Sequence, residues 1–211
     1  MKVKQNNLIK SLKIQPLIVV IRLEHNFFNI SQKKENLLFK IEKLTNFGIK
    51  NIEIGWDSNP EWVNLILEIK KKFKSINIGV ASISSRQSLE SILSLDLNYS
   101  MSPFFNKEIH IKAIKYNQLV IPGISNIENF KEAINLGYKI IKIFPASKLG
   151  INFLNELQDL KTKDTFFIGA GGIKSKSLKK LLKSGYDALV IGRELRNQTP
   201  DKDLEIWLKD Y

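Results

Sequence analysis

Ile140-Ile141-Lys142-Ile143-Phe144-Pro145 reads as a buried strand closed by a proline, with a single lysine among apolar residues. A lysine flanked by isoleucines must give up the hydration of its ammonium, and burial lowers its pKa by favouring the neutral amine. A neutral amine held in an apolar pocket is a nucleophile suited to forming a Schiff base with a carbonyl compound. The competing reading is a strand-end lysine that snorkels into solvent. The segments on either side decide what kind of strand this is.

Outward from this run, short β-rich segments alternate with longer amphipathic ones. Strands are expected over 17–22, 51–55, 76–81, 99–102, 119–121, 140–144, 165–168 and 188–191. Helices are expected over 33–46, 60–74, 85–95, 107–115, 126–136, 151–160, 175–184 and 201–209, with an extra one over 8–13 before the first strand. Eight strands each followed by a helix predict an α/β fold, a (β/α)8 TIM barrel forming a single domain over residues 1–211. An open doubly wound sheet is the competitor, because sequence alone does not show closure. Gly48, Gly137 and Gly185 each follow an amphipathic segment and are expected to be left-handed helix C-caps.

Composition narrows the function classes. A chain of 211 residues with 43% hydrophobic content is large enough for one barrel core. It has no cysteine, which excludes disulfides and thiolate metal sites. The apolar run 16–21 is too short to span a bilayer and is followed at once by Arg22, and the N-terminus lacks the pattern of a signal peptide. A cytoplasmic enzyme with no membrane partner is expected. The net charge of +12 invites a nucleic-acid reading, but the lysines are spread along the chain. Lys70-Lys71-Lys72 and Lys179-Lys180 fall on outer helix faces, and the aromatic residues lie mainly in apolar segments. No nucleic-acid partner is expected, whereas the charge would attract small anions.

In a barrel of this kind catalytic groups sit at the C-terminal ends of the strands, and phosphate is often held after strands 7 and 8. Those ends carry Arg22, Glu53, Ser82, Ser102, Pro122-Gly123-Ile124-Ser125, Lys142, Gly171-Gly172 and Gly192-Arg193. The set contains an amine, a carboxylate, a guanidinium, hydroxyls and two glycine turns, which suits an anionic carbonyl compound. Glu53 lies between Ile52 and Ile54 and so faces away from both, as an inward polar residue would. Its bland alternative is a buried ion pair, with Lys142 as one candidate partner. Arg22 matches a carboxylate in a bidentate fork, against a strand-end surface charge. For Ser82 and Ser125, turn or helix-cap roles compete with substrate binding.

These residues resemble the 2-keto-3-deoxy-6-phosphogluconate aldolase family, which includes 4-hydroxy-2-oxoglutarate aldolases. The resemblance spans nearly the whole chain. It rests on Val20-Ile21-Arg22, Ile52-Glu53-Ile54, Ser102-Pro103, Ile121-Pro122-Gly123-Ile124-Ser125, Lys142-Ile143-Phe144-Pro145-Ala146 and Gly171-Gly172-Ile173. It implies a metal-free, cofactor-free class I aldolase with Lys142 as the Schiff-base lysine and Glu53 as the general acid/base. Arg22, Ser82, Ser102, Pro122 and Ser125 would bind a small anionic 2-oxo acid, and Gly171, Gly172, Gly192 and Arg193 its phosphate. A homotrimer is also implied.

The chain departs from the family pattern at several places. Asp57 stands where many members have arginine, Ala170 replaces a threonine before the glycine pair, and Ala81 replaces the second glycine of a Gly-Ala-Gly-Thr sequence. Gly192-Arg193-Glu194 stands in place of Gly-Gly-Ser. The reaction type, retro-aldol cleavage to pyruvate and an aldehyde, is therefore better specified than the substrate. Two rival readings remain: a catalytically weak barrel that binds metabolites, and another phosphate-binding barrel enzyme such as an epimerase or synthase.

Overall fold

The computed structural model describes residues 1–23, 30–192 and 202–211, with residues 30–33 given by their backbone alone. Among these residues the strands are β1 (Leu17–Ile21), β2 (Asn51–Gly55), β3 (Asn77–Ala81), β4 (Tyr99–Met101), β5 (Val120–Ile121), β6 (Gly123–Ile124), β7 (Ile140–Ile143), β8 (Phe166–Ala170) and β9 (Ala188–Ile191). They form one sheet in the order β5-β4-β3-β2-β1-β9-β8-β7-β6, and every pairing is parallel. The two ends of that order are halves of one barrel strand, broken at Pro122, which has no N–H to give the ladder. Val120 and Ile121 pair with β4, while Gly123 and Ile124 pair with β7. The Pro122 carbonyl accepts a bond from the Lys142 backbone N–H at 3.0 Å. The sheet is thereby closed, and the fold is a (β/α)8 barrel rather than an open sheet.

The helices among the described residues are α1 (Lys2–Ile14), α2 (Ile30–Asn46), α3 (Trp62–Lys72), α4 (Arg86–Ile92), α5 (Lys107–Lys115), α6 (Ile127–Asn135), α7 (Ala146–Leu160), α8 (Leu178–Lys183) and α9 (Lys202–Leu208). Two of them differ instructively from the sequence expectation. α7 begins five residues before 151, because Gly150, at φ +73°, joins two helical segments across a kink. The apolar periodicity is regular only beyond that glycine. The helix expected over 175–184 opens as a 3-10 turn at Ser175–Ser177 before α8. Gly48, Gly137 and Gly185 have φ of +87°, +85° and +113°, the left-handed conformation expected of C-caps.

α1 covers the N-terminal end of the barrel. Leu8 and Leu12 are buried, each worth roughly 1.5–3 kcal/mol of burial. The Gln5 amide donates to Gly137 O at 3.1 Å and accepts from the Lys139 backbone N–H at 2.7 Å. Ser11 Oγ donates to Asn51 Oδ1 at 2.8 Å, and Asn77 Nδ2 donates to both Ser11 Oγ and Asn51 Oδ1. Since Asn51 and Asn77 are the first residues of β2 and β3, this satisfied polar layer closes the floor.

Candidate active site

β2 presents Glu53 and β7 presents Lys142, both inside the barrel. Glu53 is 1% exposed and Lys142 7% exposed, so the lysine is buried and does not snorkel. Burial pushes the Glu53 carboxyl up to about 7, against the opposing pull of Lys142 and Arg22. Burial likewise lowers the Lys142 pKa; Glu53 opposes that shift and Arg22 adds to it. Each group is thus driven toward its neutral form.

The two do not form a direct ion pair. Lys142 Nζ donates to the Ser102 carbonyl at 3.2 Å and lies 5.0 Å from the centroid of the Phe144 ring. Glu53 Oε1 is buried without a protein hydrogen-bond partner. A buried carboxylate oxygen left in this way costs stability unless something else meets it. Two reactive groups that influence each other but remain unbonded are placed to act on a molecule between them.

Arg22 extends past the end of β1 and over β2. A Cβ at Gly55 would lie 3.3 Å from Arg22 Cγ, so glycine at that position clears its path. Arg22 Nη1 then donates to Ser82 Oγ at 3.0 Å. Ser82 has φ +70°, a left-handed conformation that costs a non-glycine residue roughly 1–3 kcal/mol. The exposed guanidinium and the hydroxyl form one polar pair at the mouth, of the kind that receives a carboxylate.

The hydroxyl of Ser102 is engaged within the protein. It meets Ile121 O at 3.2 Å, the Gly123 backbone N–H at 3.1 Å and His110 Nε2 at 3.4 Å. It thereby bridges the strand break at Pro122, while its own carbonyl faces Lys142. His110 Nδ1 sits 2.7 Å from Asn106 O, which fixes that nitrogen as the donor and leaves Nε2 as an acceptor, so Ile121 O and His110 Nε2 compete for the single Ser102 hydroxyl proton. Pro122 is buried at the break, and Ser125 is exposed on the rim. The cap of α6 is Asn126, whose Oδ1 accepts from Asn129 N at 2.8 Å, so Ser125 is not the cap residue.

Gly171 and Gly172 follow β8 with φ of +92° and +74°. The Gly171 carbonyl accepts from the Ser147 backbone N–H at 3.1 Å, which joins this turn to the start of α7. The Ser147 side chain packs where a Cβ on Gly172 would stand. Gly192 directly follows β9 and lies against Val20. Arg193 and Glu194 lie outside the described residues. Asp57 Oδ1 accepts the Asn59 backbone N–H at 2.8 Å, forming a turn just beyond β2. Among the described residues, no group of three or more His, Cys, Asp or Glu side chains could hold a metal ion, and no helix is long and apolar enough to cross a membrane.

Tyr99, His110 and Ser147 carry no motif that marks them in the sequence. Tyr99 looks like strand filling, and its signal lies in register: it pairs with Gly79, which pairs with Glu53.

Comparison with known proteins gives this geometry a family context. The family model described as KDPG and KHG aldolase matches residues 7–205. The 2-dehydro-3-deoxy-6-phosphogalactonate aldolase of Escherichia coli K12 is 21% identical over 182 residues, covering 85% of this chain and 84% of that protein. The 2-keto-3-deoxy-6-phosphogluconate aldolase of Zymomonas mobilis ZM4, solved with 3-phosphoglycerate, superposes with a TM-score of 0.77 at 19% identity, covering 96% of this chain and 93% of that one. The KDPG aldolase of Legionella pneumophila, solved with pyruvate captured as a covalent carbinolamine, superposes with a TM-score of 0.72 at 21% identity, covering 92% and 91%.

Proposed function

This chain belongs to the KDPG and KHG aldolase family, and we propose that it is a class I lyase cleaving 2-keto-3-deoxy-6-phosphogluconate, or a related 4-hydroxy-2-oxo acid, to pyruvate and an aldehyde. With the phosphogluconate substrate the aldehyde is glyceraldehyde 3-phosphate. The observation that carries this reading is the Lys142–Glu53 arrangement: both groups buried, both driven toward neutrality, and neither bonded to the other.

The neutral Lys142 amine adds to the C2 carbonyl, and the resulting carbinolamine loses water with a proton supplied by Glu53. The iminium is an electron sink. When the Glu53 carboxylate takes the C4 hydroxyl proton, the C3–C4 pair flows into the iminium, leaving an enamine and a free aldehyde. Glu53 returns the proton to C3, and water hydrolyses the pyruvate iminium to restore the amine. A carboxyl near 7 populates both protonation states at neutral pH, which a cycle alternating acid and base steps requires.

Arg22 and Ser82 supply the carboxylate grip at one side of the mouth. The Gly171-Gly172 turn supplies backbone N–H groups for the phosphate, supplemented by Gly192 and Arg193. Asp57 disfavours a second carboxylate nearby, which ranks 4-hydroxy-2-oxoglutarate below a phosphorylated sugar acid. A homotrimer acting on a small anionic 2-oxo acid completes the proposal.

A catalytically weak metabolite-binding barrel is the second reading, favoured by Ala170, Ala81 and Asp57 in recognition positions. Pyruvate release from 2-keto-3-deoxy-6-phosphogluconate, its galactonate epimer and 4-hydroxy-2-oxoglutarate separates the two. Turnover of at least one, abolished in Lys142→Ala, is expected. Tight binding of all three without pyruvate release would favour the second reading.

A further inference from the structure

Tyr99 is fully buried, and its hydroxyl has no protein hydrogen-bond partner. A buried, unpaired hydroxyl is costly and calls for an account. Its position supplies one. Tyr99 opens β4 in register with Gly79 of β3, which is in register with Glu53 of β2. Register partners in a parallel sheet point to the same face, so all three look into the barrel. A Cβ on Gly79 would lie 2.5 Å from Tyr99 Cε2, 2.9 Å from Cε1 and closer still to Cζ, the carbon that bears the hydroxyl. The ring therefore crosses β3 over the bare glycine with its phenolic end leading toward β2. On β2, Glu53 Oε1 is likewise buried and unpaired.

We propose that the Tyr99 hydroxyl is a positioning residue for Glu53, donating through one buried water to the carboxylate and fixing its orientation in the barrel. Two unpaired polar groups converging over a glycine give such a water the partners it needs. Among the described residues, the charged or titratable groups that act on Glu53 are Lys142 and Arg22, with Tyr99 itself responding to the Glu53 charge. Both cations favour the carboxylate, and the phenol adds a neutral donor. The proton stays on Tyr99, whose own ionisation is pushed well above its usual range by burial and by Glu53. This inference rests on the aldolase reading, since it assigns Tyr99 to the general acid/base of that reaction.

The test compares the wild type with Tyr99→Phe, which removes one oxygen and keeps the ring. Exchange of pyruvate methyl protons with deuterated water reports enamine formation without needing the aldehyde half of any substrate. Its acid limb follows ionisation of the base that removes the C3 proton. Losing a donor to the carboxylate should move that limb up by about one pH unit, with up to about tenfold slower exchange below it. Borohydride trapping of pyruvate on Lys142 should persist in the variant. An unmoved limb, whatever the change in maximal rate, would overturn the Tyr99 assignment while leaving the aldolase reading intact. If the wild type neither exchanges nor traps pyruvate, the aldolase reading fails. Carbon-13 NMR titration of the Glu53 carboxyl, identified by its loss in Glu53→Gln, then decides the Tyr99 link by itself. Identical Glu53 titration in wild type and Tyr99→Phe would overturn it.

Discussion

Lys142 and Glu53 occupy one barrel interior on opposite sides of the ring of strands, each shifted by burial toward its neutral form, and they are not joined by an ion pair. A buried pair that serves stability alone gains most by closing, because each charge then offsets the desolvation of the other. Here the amine is turned to the Ser102 carbonyl instead, and one carboxylate oxygen is left without a protein partner.

Glu53→Gln should keep the fold and lose the proton-transfer contribution, roughly 10²–10⁴-fold in rate. Steady-state pyruvate release measures this. Near-normal turnover in the variant, with Lys142→Ala inactive, would move the acid/base role to another group.

The same substitution should change how stability depends on pH. The folded Glu53 pKa, about 7, exceeds the ordinary 4.5, so between these values the folded state holds a proton that the unfolded chain has released. The Glu53 contribution to stability is therefore highest at the acid side of this window and falls as pH rises through it. Glu53→Gln lacks that loss and should gain on the wild type from pH 5 to pH 8 by on the order of 2–3 kcal/mol. Urea unfolding at both pH values tests this, and a gap that does not widen would argue that Glu53 is not buried as an acid.

Gly172→Ala introduces a side chain at φ +74°, against Ser147, in the turn assigned to phosphate. KM for a phosphorylated substrate should rise by about tenfold, equivalent to about 1.4 kcal/mol of lost binding. Cleavage of the dephosphorylated analogue should be spared. Equal effects on both would remove the phosphate from this turn.

Asp57 should hold kcat/KM for 4-hydroxy-2-oxoglutarate below that for a phosphorylated sugar acid, because like charges repel. Asp57→Asn should narrow the difference while keeping an acceptor for the Asn59 N–H. A wild-type preference for the dicarboxylate would reverse this ranking.

Much of the barrel was legible in the sequence because a buried parallel strand is a short apolar run, and a polar residue inside one stands out. Glu53 between two isoleucines and Lys142 within Ile140-Ile141-Lys142-Ile143 were found in that way. The strand break at Pro122 was not, since the expected strand stopped at 121 and only pairing on both sides shows that it resumes. The start of α7 was hidden by Gly150, which interrupts the helical period without ending the helix. Contacts between distant segments carry no local signal: Arg22 meets Ser82 across 60 positions, and Tyr99 approaches Glu53 only through the registers of three strands.

Borohydride reduction in the presence of pyruvate, followed by peptide mapping, asks whether Lys142 is the covalent nucleophile. Reduction would fix the imine formed by the neutral amine as a stable secondary amine. One pyruvate-derived adduct per chain is expected, on Lys142, absent in Lys142→Ala and retained in Tyr99→Phe. No adduct, or an adduct confined to a surface lysine such as Lys71 or Lys179, would contradict it.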